Sequence, residues 1–239
     1  MEANDYAEGA CLLVDKPLDW TSFDVVSKIK FALKSQFGKI KIGHAGTLDP
    51  KATGLLIICT GKWTKRIDEY QNADKVYTGT LMLGATTECY DSEREINATF
   101  PTDHITESMI HECAQSFIGA QEQFPPAHSA IKIDGKTAYN LARKGKEVVL
   151  KSRPITIYDF KITGINMPYV DFEVKCTKGT YIRSLAHDFG QKLNSGAYLT
   201  ALRRTQSGDI KVEDAWKLEE LISFIRSQKP DSNADSQGV

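Results

Sequence analysis

KIGHAGTLDPKATGLLIICTGKWTKR, residues 41–66, joins a glycine-punctuated loop to a short apolar run. The run LLIIC at 55–59 is too short to span a bilayer, and between Gly54 and Thr60 it reads as a buried strand. Gly43, Gly46 and Gly54 permit a tight backbone and the close approach of a second chain segment or a ligand. His44, Thr47 and Asp49 concentrate polar groups in that loop, and Pro50 fixes φ directly after the acid. The loop therefore presents one carboxylate, among cations, at the edge of a buried strand. Such surroundings favour an ionised nucleophile or base. The same residues also suit an Asx-type turn in which Asp49 only bonds local amides.

Working outward, CLLVD (11–15) reads as a strand ended by Lys16-Pro17. Thr21 and Ser22 can cap a helix through about Phe37, with Val25, Val26, Ile29, Leu33 and Phe37 at helical spacing and Gly38 as its stop. Lys75–Leu83 and Tyr169–Cys176 read as strands; in the second, Val170, Phe172, Val174 and Cys176 alternate. Helices are predicted over 107–118, from a Thr180 cap to about Leu193, and over 214–226. Asp134-Gly135 is a hairpin-turn signal, and the polar stretch 227–239 has the composition of a disordered tail. Helices and strands interleave without a regular βαβ rhythm, which favours an α+β fold over a doubly wound one.

The charge is segregated. Net charge is −1, yet residues 25–67 hold nine Lys or Arg and a single acid, Asp49. Residues 131–153 hold seven bases against two acids, while 68–122 hold eleven acids against two bases. A near-neutral chain arranged in this way can still turn a basic face to a polyanion. The five cysteines are widely spaced with no CxxC pair, and the five histidines show no ligand spacing, so neither disulfides nor metal chemistry is expected and a reducing cytoplasm fits. The N-terminus is acidic and lacks an apolar core, unlike a secretory signal.

The 41–66 segment resembles the signature GHAGTLDPxATGLLxxxxGxxTK of the TruB family of tRNA pseudouridine-55 synthases. Further matches follow in order: DKPLDWTS (15–22), KVYTGTLMLGATTECYD (75–91), FPPAHSAIKIDGKTAYNLARKG (124–145), CTKGTYIRSLAHDFG (176–190) and LRRTQSG (202–208). The resemblance implies a pseudouridine-synthase-like α+β fold: a mixed, largely antiparallel sheet with flanking helices and an RNA-binding cleft. One catalytic domain would span 1–226, with a thumb-like insertion at 124–153. The reaction implied breaks the N1–C1′ bond of a uridine in the T-arm of tRNA, rotates the uracil and rejoins it through C5, with no cofactor or metal.

Carried over residue by residue, Asp49 is the family's catalytic aspartate, attacking at C1′ or at C6. Tyr77 resembles the tyrosine that stacks on the target base, or is an ordinary strand tyrosine. Arg183 resembles the arginine paired with the aspartate, or is a surface arginine. Tyr181 and Leu202 match base-pocket residues and would serve equally as core. His44 matches a contact to the RNA, or makes a loop-stabilising hydrogen bond. Lys132, Arg143 and Lys144 would grip RNA from the insertion. Three departures stand out. Asp19 replaces a usual glycine, which predicts a first turn of different shape. TTECYDSERE lacks the glycine that follows the family's aspartate, so the resemblance supports Asp91 as a site residue less than it supports the others. The chain ends soon after 226, so the expectation is a short, monomeric form without the C-terminal PUA module of many relatives. An RNA hydrolase using the same Asp49 and a non-catalytic tRNA chaperone are the rival readings.

Overall fold

The computed structural model describes residues 3–126, 132–133, 136–137 and 151–228. In chain order the strands are β1 (Cys11–Lys16), β2 (Ile42–Ala45), β3 (Ala52–Thr60), β4 (Lys75–Leu83), β5 (Ala85–Thr87), β6 (Ile96–Thr99), β7 (Gly119–Gln123), β8 (Lys132–Ile133), β9 (Lys136–Thr137), β10 (Arg153–Asn166), β11 (Tyr169–Cys176), β12 (Ala197–Ser207), β13 (Ile210–Lys211) and β14 (Trp216–Lys217). The helices are α1 (Ala3–Glu8), α2 (Ser22–Phe37), α3 (Ile67–Asn72), α4 (Glu107–Gln115), α5 (Ile182–Lys192) and α6 (Leu218–Ser227). The chain divides into two units, Met1–Ala73 with Arg203–Val239, and Asp74–Leu202, and the boundary falls inside β12.

In the first unit the strand order is β14-β1-β3-β12, with β2 also on β3 and β13 on β12. Leu56 and Ile58 of β3 pack with Val25, Ile29 and Leu33 of α2 and with Leu221 and Ile225 of α6. Leu55 and Ile57 face the other way, onto Ala45 and Val212. Burial of both faces is why this strand is continuously apolar rather than alternating. Thr21 opens α2 with a capping box: its hydroxyl accepts from Asp24 N at 3.0 Å, and Asp24 accepts from Thr21 N at 2.9 Å.

In the second unit the order is β12-β4-β11-β10-β7. Val170, Phe172, Val174 and Cys176 of β11 are buried and join Phe117, Phe160 and Phe189 in one core beneath α4 and α5. Pairing is antiparallel from β4 through β7, while β1 and β14 run parallel, so the sheet is mixed and mostly antiparallel. Lys132 pairs with Thr137 and Ile133 with Lys136, on either side of the predicted Asp134-Gly135 turn.

Three helix boundaries differ from the sequence reading. α4 ends at Gln115 rather than 118, with Ser116 as its C-cap and Gly119 opening β7. Tyr181, not Thr180, is the N-cap of α5; the Thr180 hydroxyl instead donates to Thr177 O at 2.9 Å. α6 begins at Leu218, because Val212–Asp214 form a short 3-10 turn and Trp216–Lys217 pair with β1. Among the described residues no helix is long and apolar enough to cross a membrane.

Candidate active site

Asp49 stands half-buried in the loop between β2 and β3. The loop is clamped on both sides of the acid by buried polar groups. Before it, the Ser22 hydroxyl donates to Leu48 O at 3.1 Å and accepts from Leu48 N at 2.9 Å. After it, Lys16, with no exposed surface, turns its ammonium to Pro50 O at 3.4 Å while donating to Trp20 O and Pro17 O at 2.6 and 2.9 Å. Burial pushes the Lys16 pKa down to about 8, against the opposing pull of Asp49, Asp19 and Asp24. A third clamp is Arg204, only 1% exposed, whose Nε donates to Leu55 O at 2.7 Å and Nη2 to Gly46 O at 3.1 Å. Gly54, at φ 101°, admits this strand: a Cβ there would lie 2.3 Å from Arg204 O.

The DKPLDWTS segment is part of the same construction. Asp15 is held bidentately by Arg203 at 2.8 and 3.0 Å and also meets Lys217. Burial alone would raise its pKa, but the hydrogen bonds from Arg203 and Lys217 prevail and the net shift is downward. Asp19 adopts φ 63°, the left-handed backbone a glycine would take, donates its N–H to Pro50 O at 2.9 Å and pairs with Lys51 at 2.7 Å. Aspartate is among the few residues other than glycine that tolerate this left-handed region. His44 lies on β2, and burial, reinforced by the Arg204 charge, depresses its pKa and keeps the ring neutral.

The second unit carries the other candidates. Tyr77 sits on β4 opposite Val174, half-buried against the core, and Leu202 packs on the same core from β12. The backbone of Tyr181 is bracketed by the buried Gln123 side chain, which accepts from Tyr181 N at 2.8 Å and donates to Tyr181 O at 3.0 Å. Arg153 lies over the Tyr181 ring at 5.2 Å. Arg183 is the second residue of α5 and is 5% exposed. Its Nη1 donates to Cys89 O at 3.1 Å, and its Nε faces Asp91 Oδ2 at 3.7 Å. Asp91 Oδ1 accepts from Glu93 N and from the Cys89 thiol, both at 2.9 Å. Asp91 is thus an acidic partner of Arg183 within this unit, despite the departure of its loop from the family pattern.

The first unit brings Asp49 and His44 together with Lys16, Ser22 and Arg204; the second holds Tyr77, Tyr181, Arg183 and Leu202 with Asp91 and Gln123. The backbone of Lys132 lies in β8, whereas Arg143 and Lys144 lie outside the described residues. Lys16, Ser22 and Arg204 were missed as site residues, though each falls inside a quoted motif: two in DKPLDWTS, one in LRRTQSG. Among the described residues no group of three or more His, Cys, Asp or Glu is placed to hold a metal ion.

Comparison with known proteins places these motifs in a lineage. The model for the N-terminal domain of the TruB family pseudouridylate synthases matches residues 34–182, and that for the tRNA pseudouridylate synthase B C-terminal domain matches 183–235. The chain is 56% identical over 218 residues to tRNA pseudouridine synthase B of Flavobacterium johnsoniae, covering 90% of this chain and 95% of the relative. It is 52% identical over 227 residues to the protein of that name from Phocaeicola vulgatus, covering 94% and 97%. Among solved structures, a chain in a Cbf5-Nop10-Gar1 complex superposes with a TM-score of 0.72 at 29% identity, covering 94% of this chain and 56% of that one. A chain in an H/ACA RNP bound to a substrate RNA containing 2′-deoxyuridine gives 0.67 at 28%, covering 92% and 54%. This chain thus spans a little over half the length of those two.

Proposed function

The chain belongs to the TruB family of pseudouridylate synthases, and from that premise we propose that it isomerises uridine-55 in the T-loop of tRNA to pseudouridine. The N1–C1′ bond breaks, the uracil turns, and a C5–C1′ bond forms. The proton on C5 leaves and N1 gains one, so mass and oxidation state are conserved. The observation that carries this reading is the clamped loop of Asp49, with Ser22 before the acid and Lys16 after it. A carboxylate whose backbone is fixed in this way is preorganised to attack or to stabilise charge, which is where much of an enzyme's rate enhancement arises.

In this reading Asp49 is the nucleophile and Tyr77 stacks on the extruded base. Arg183 supplies positive charge, and Tyr181, Leu202 and His44 contact the flipped nucleotide or its neighbours. Base chemistry requires the base out of its stack, and loops are where RNA is most readily opened. The substrate is accordingly the T-arm, gripped by Lys132, Arg143 and Lys144 of the 124–153 insertion. The domain spans 1–226, and the enzyme works in the cytoplasm as a monomer, without cofactor or metal.

The test is incubation of the purified chain with unmodified tRNA transcript carrying tritium on the uridine C5. Expected are release of the tritium, pseudouridine mapped to the T-loop, and loss of both with Asp49→Asn. An abasic or cleaved product would show a hydrolase instead. An isolated T-arm hairpin is expected to react as well; its inertness beside active whole tRNA would refute the local mode of recognition.

A further inference from the structure

Arg183 and His187 are four residues apart on α5, so they lie one above the other on a single helix face. That face meets three consecutive residues of one loop. Arg183 takes Cys89 O and faces the Asp91 carboxylate. One turn later the His187 ring stacks on Tyr90, with centroids 4.0 Å apart and planes 14° from parallel. Tyr90 reaches this position with φ 63°, a conformation bulky residues seldom adopt. Its N–H donates to Thr87 O at 3.2 Å and its carbonyl accepts from Leu199 N at 3.0 Å, so the unusual backbone is held from both sides.

The imidazole has little else to hold it. His187 Nε2 lies 2.9 Å from Gln191 Nε2, an amide nitrogen that can only donate, so Nε2 is the acceptor. Nδ1 is buried and makes no hydrogen bond among the described residues. A buried polar atom left unpaired is a cost, and it is tolerated where the ring itself has a use. The use visible here is the flat contact with Tyr90.

We propose that the Tyr90–His187 stack is a positioning clamp for Arg183. By fixing the 89–91 turn against α5, it keeps Cys89 O and the Asp91 carboxylate where they hold the guanidinium in one orientation. Tyr90 and His187 are positioning residues and take no part in the bond changes. The proposal rests on the reading that Arg183 serves pseudouridine formation. Charge stabilisation by a fixed group is steeply sensitive to placement, and a shift of about 1 Å can cost on the order of a hundredfold in rate.

The experiment measures kcat and KM for pseudouridine formation in His187→Ala, His187→Phe and Tyr90→Gly, with Arg183→Ala as reference. His187→Ala and Tyr90→Gly are expected to lose about ten- to a hundredfold in kcat, with KM for tRNA within about threefold of wild type. His187→Phe keeps a flat ring and removes the unpaired nitrogen, so it should recover to within about threefold of the wild-type kcat. Tyr90→Gly guards against a folding artefact, because glycine takes φ 63° without strain and its thermal midpoint should hold. Full kcat in either His187→Ala or Tyr90→Gly, or a phenylalanine variant as slow as alanine, would overturn the clamp. A wild-type chain that makes no pseudouridine would instead sink the functional reading. An active wild type, an inactive Arg183→Ala and unimpaired clamp variants would sink the clamp alone.

Discussion

The loop that carries Asp49 and the loop that carries Asp91 are each held against buried cations, but through different atoms. Around Asp49, Lys16 and Arg204 donate to the carbonyls of Pro50, Gly46 and Leu55, and Ser22 takes both backbone atoms of Leu48. Around Asp91 the side chain itself is engaged, one oxygen by Glu93 N and the Cys89 thiol, the other by Arg183. A clamp on the backbone fixes where a carboxylate stands through atoms other than its own oxygens. A clamp on the carboxylate makes it part of the scaffold. The difference lies in which atoms hold each loop, backbone carbonyls in one and the carboxylate itself in the other.

The largest expected effect tests that difference at its sharper end. Asp49→Asn should lower kcat by about a thousandfold or more, roughly 4 kcal/mol of transition-state stabilisation, with tRNA affinity within a few-fold. Its thermal midpoint should fall by less than that of Asp91→Asn, since the backbone clamps on its loop survive the change. Asp91→Asn should show the reverse balance. Removing one charge of a buried pair commonly costs roughly 3–5 kcal/mol, so urea denaturation should reveal a loss of stability that exceeds the loss in rate. A stable, inactive Asp91→Asn beside an unstable, active Asp49→Asn would break the comparison.

A smaller effect concerns Lys16 and is read from pH. Its folded pKa is about 8, against an ordinary 10.5. Between those values the unfolded chain holds the proton and the folded chain has released it, so stability rises with pH across that window. The full difference corresponds to about 3 kcal/mol. Lys16→Met should abolish this contribution, so the rise in denaturation midpoint from about pH 8 to about pH 10 should be clearly smaller than in wild type. An equal rise in the two proteins would show that the amine is not titrating there. The smallest effect is expected of Asp19→Gly. The variant relieves a positive φ but gives up an exposed pair with Lys51, terms of about 1 kcal/mol or less that oppose one another. Stability within about 0.5 kcal/mol and unchanged kcat are expected; a large drop in either would make Asp19 more than a glycine substitute.

Much of the first unit was legible because its signals are local. The apolar run of β3, the cap at Thr21 and the stop at Gly38 each depend on residues a few positions apart, and the structure shows β3 at Ala52–Thr60 and α2 at Ser22–Phe37. Helix ends were less legible where a neighbour intervened. Gln123, 58 residues away, brackets the Tyr181 backbone at the start of α5, and pairing with β1 holds Trp216 and Lys217 in a strand.

By itself the sequence determined which acid stands in a glycine-rich loop among cations, and that this loop leads into a strand buried on both faces. Those facts follow from residue type and spacing, which set backbone freedom and hydrophobic period. The tertiary structure alone decided what holds the charges. Lys16 meets Pro50 34 positions away, Arg204 meets Gly46 across 158, and Arg183 meets Cys89 across 94. It also decided that Tyr90 takes a left-handed backbone and stacks on His187. No local rule selects such partners, because the energy of a buried cation depends on which carbonyls and carboxylates the folded strands bring within hydrogen-bonding distance.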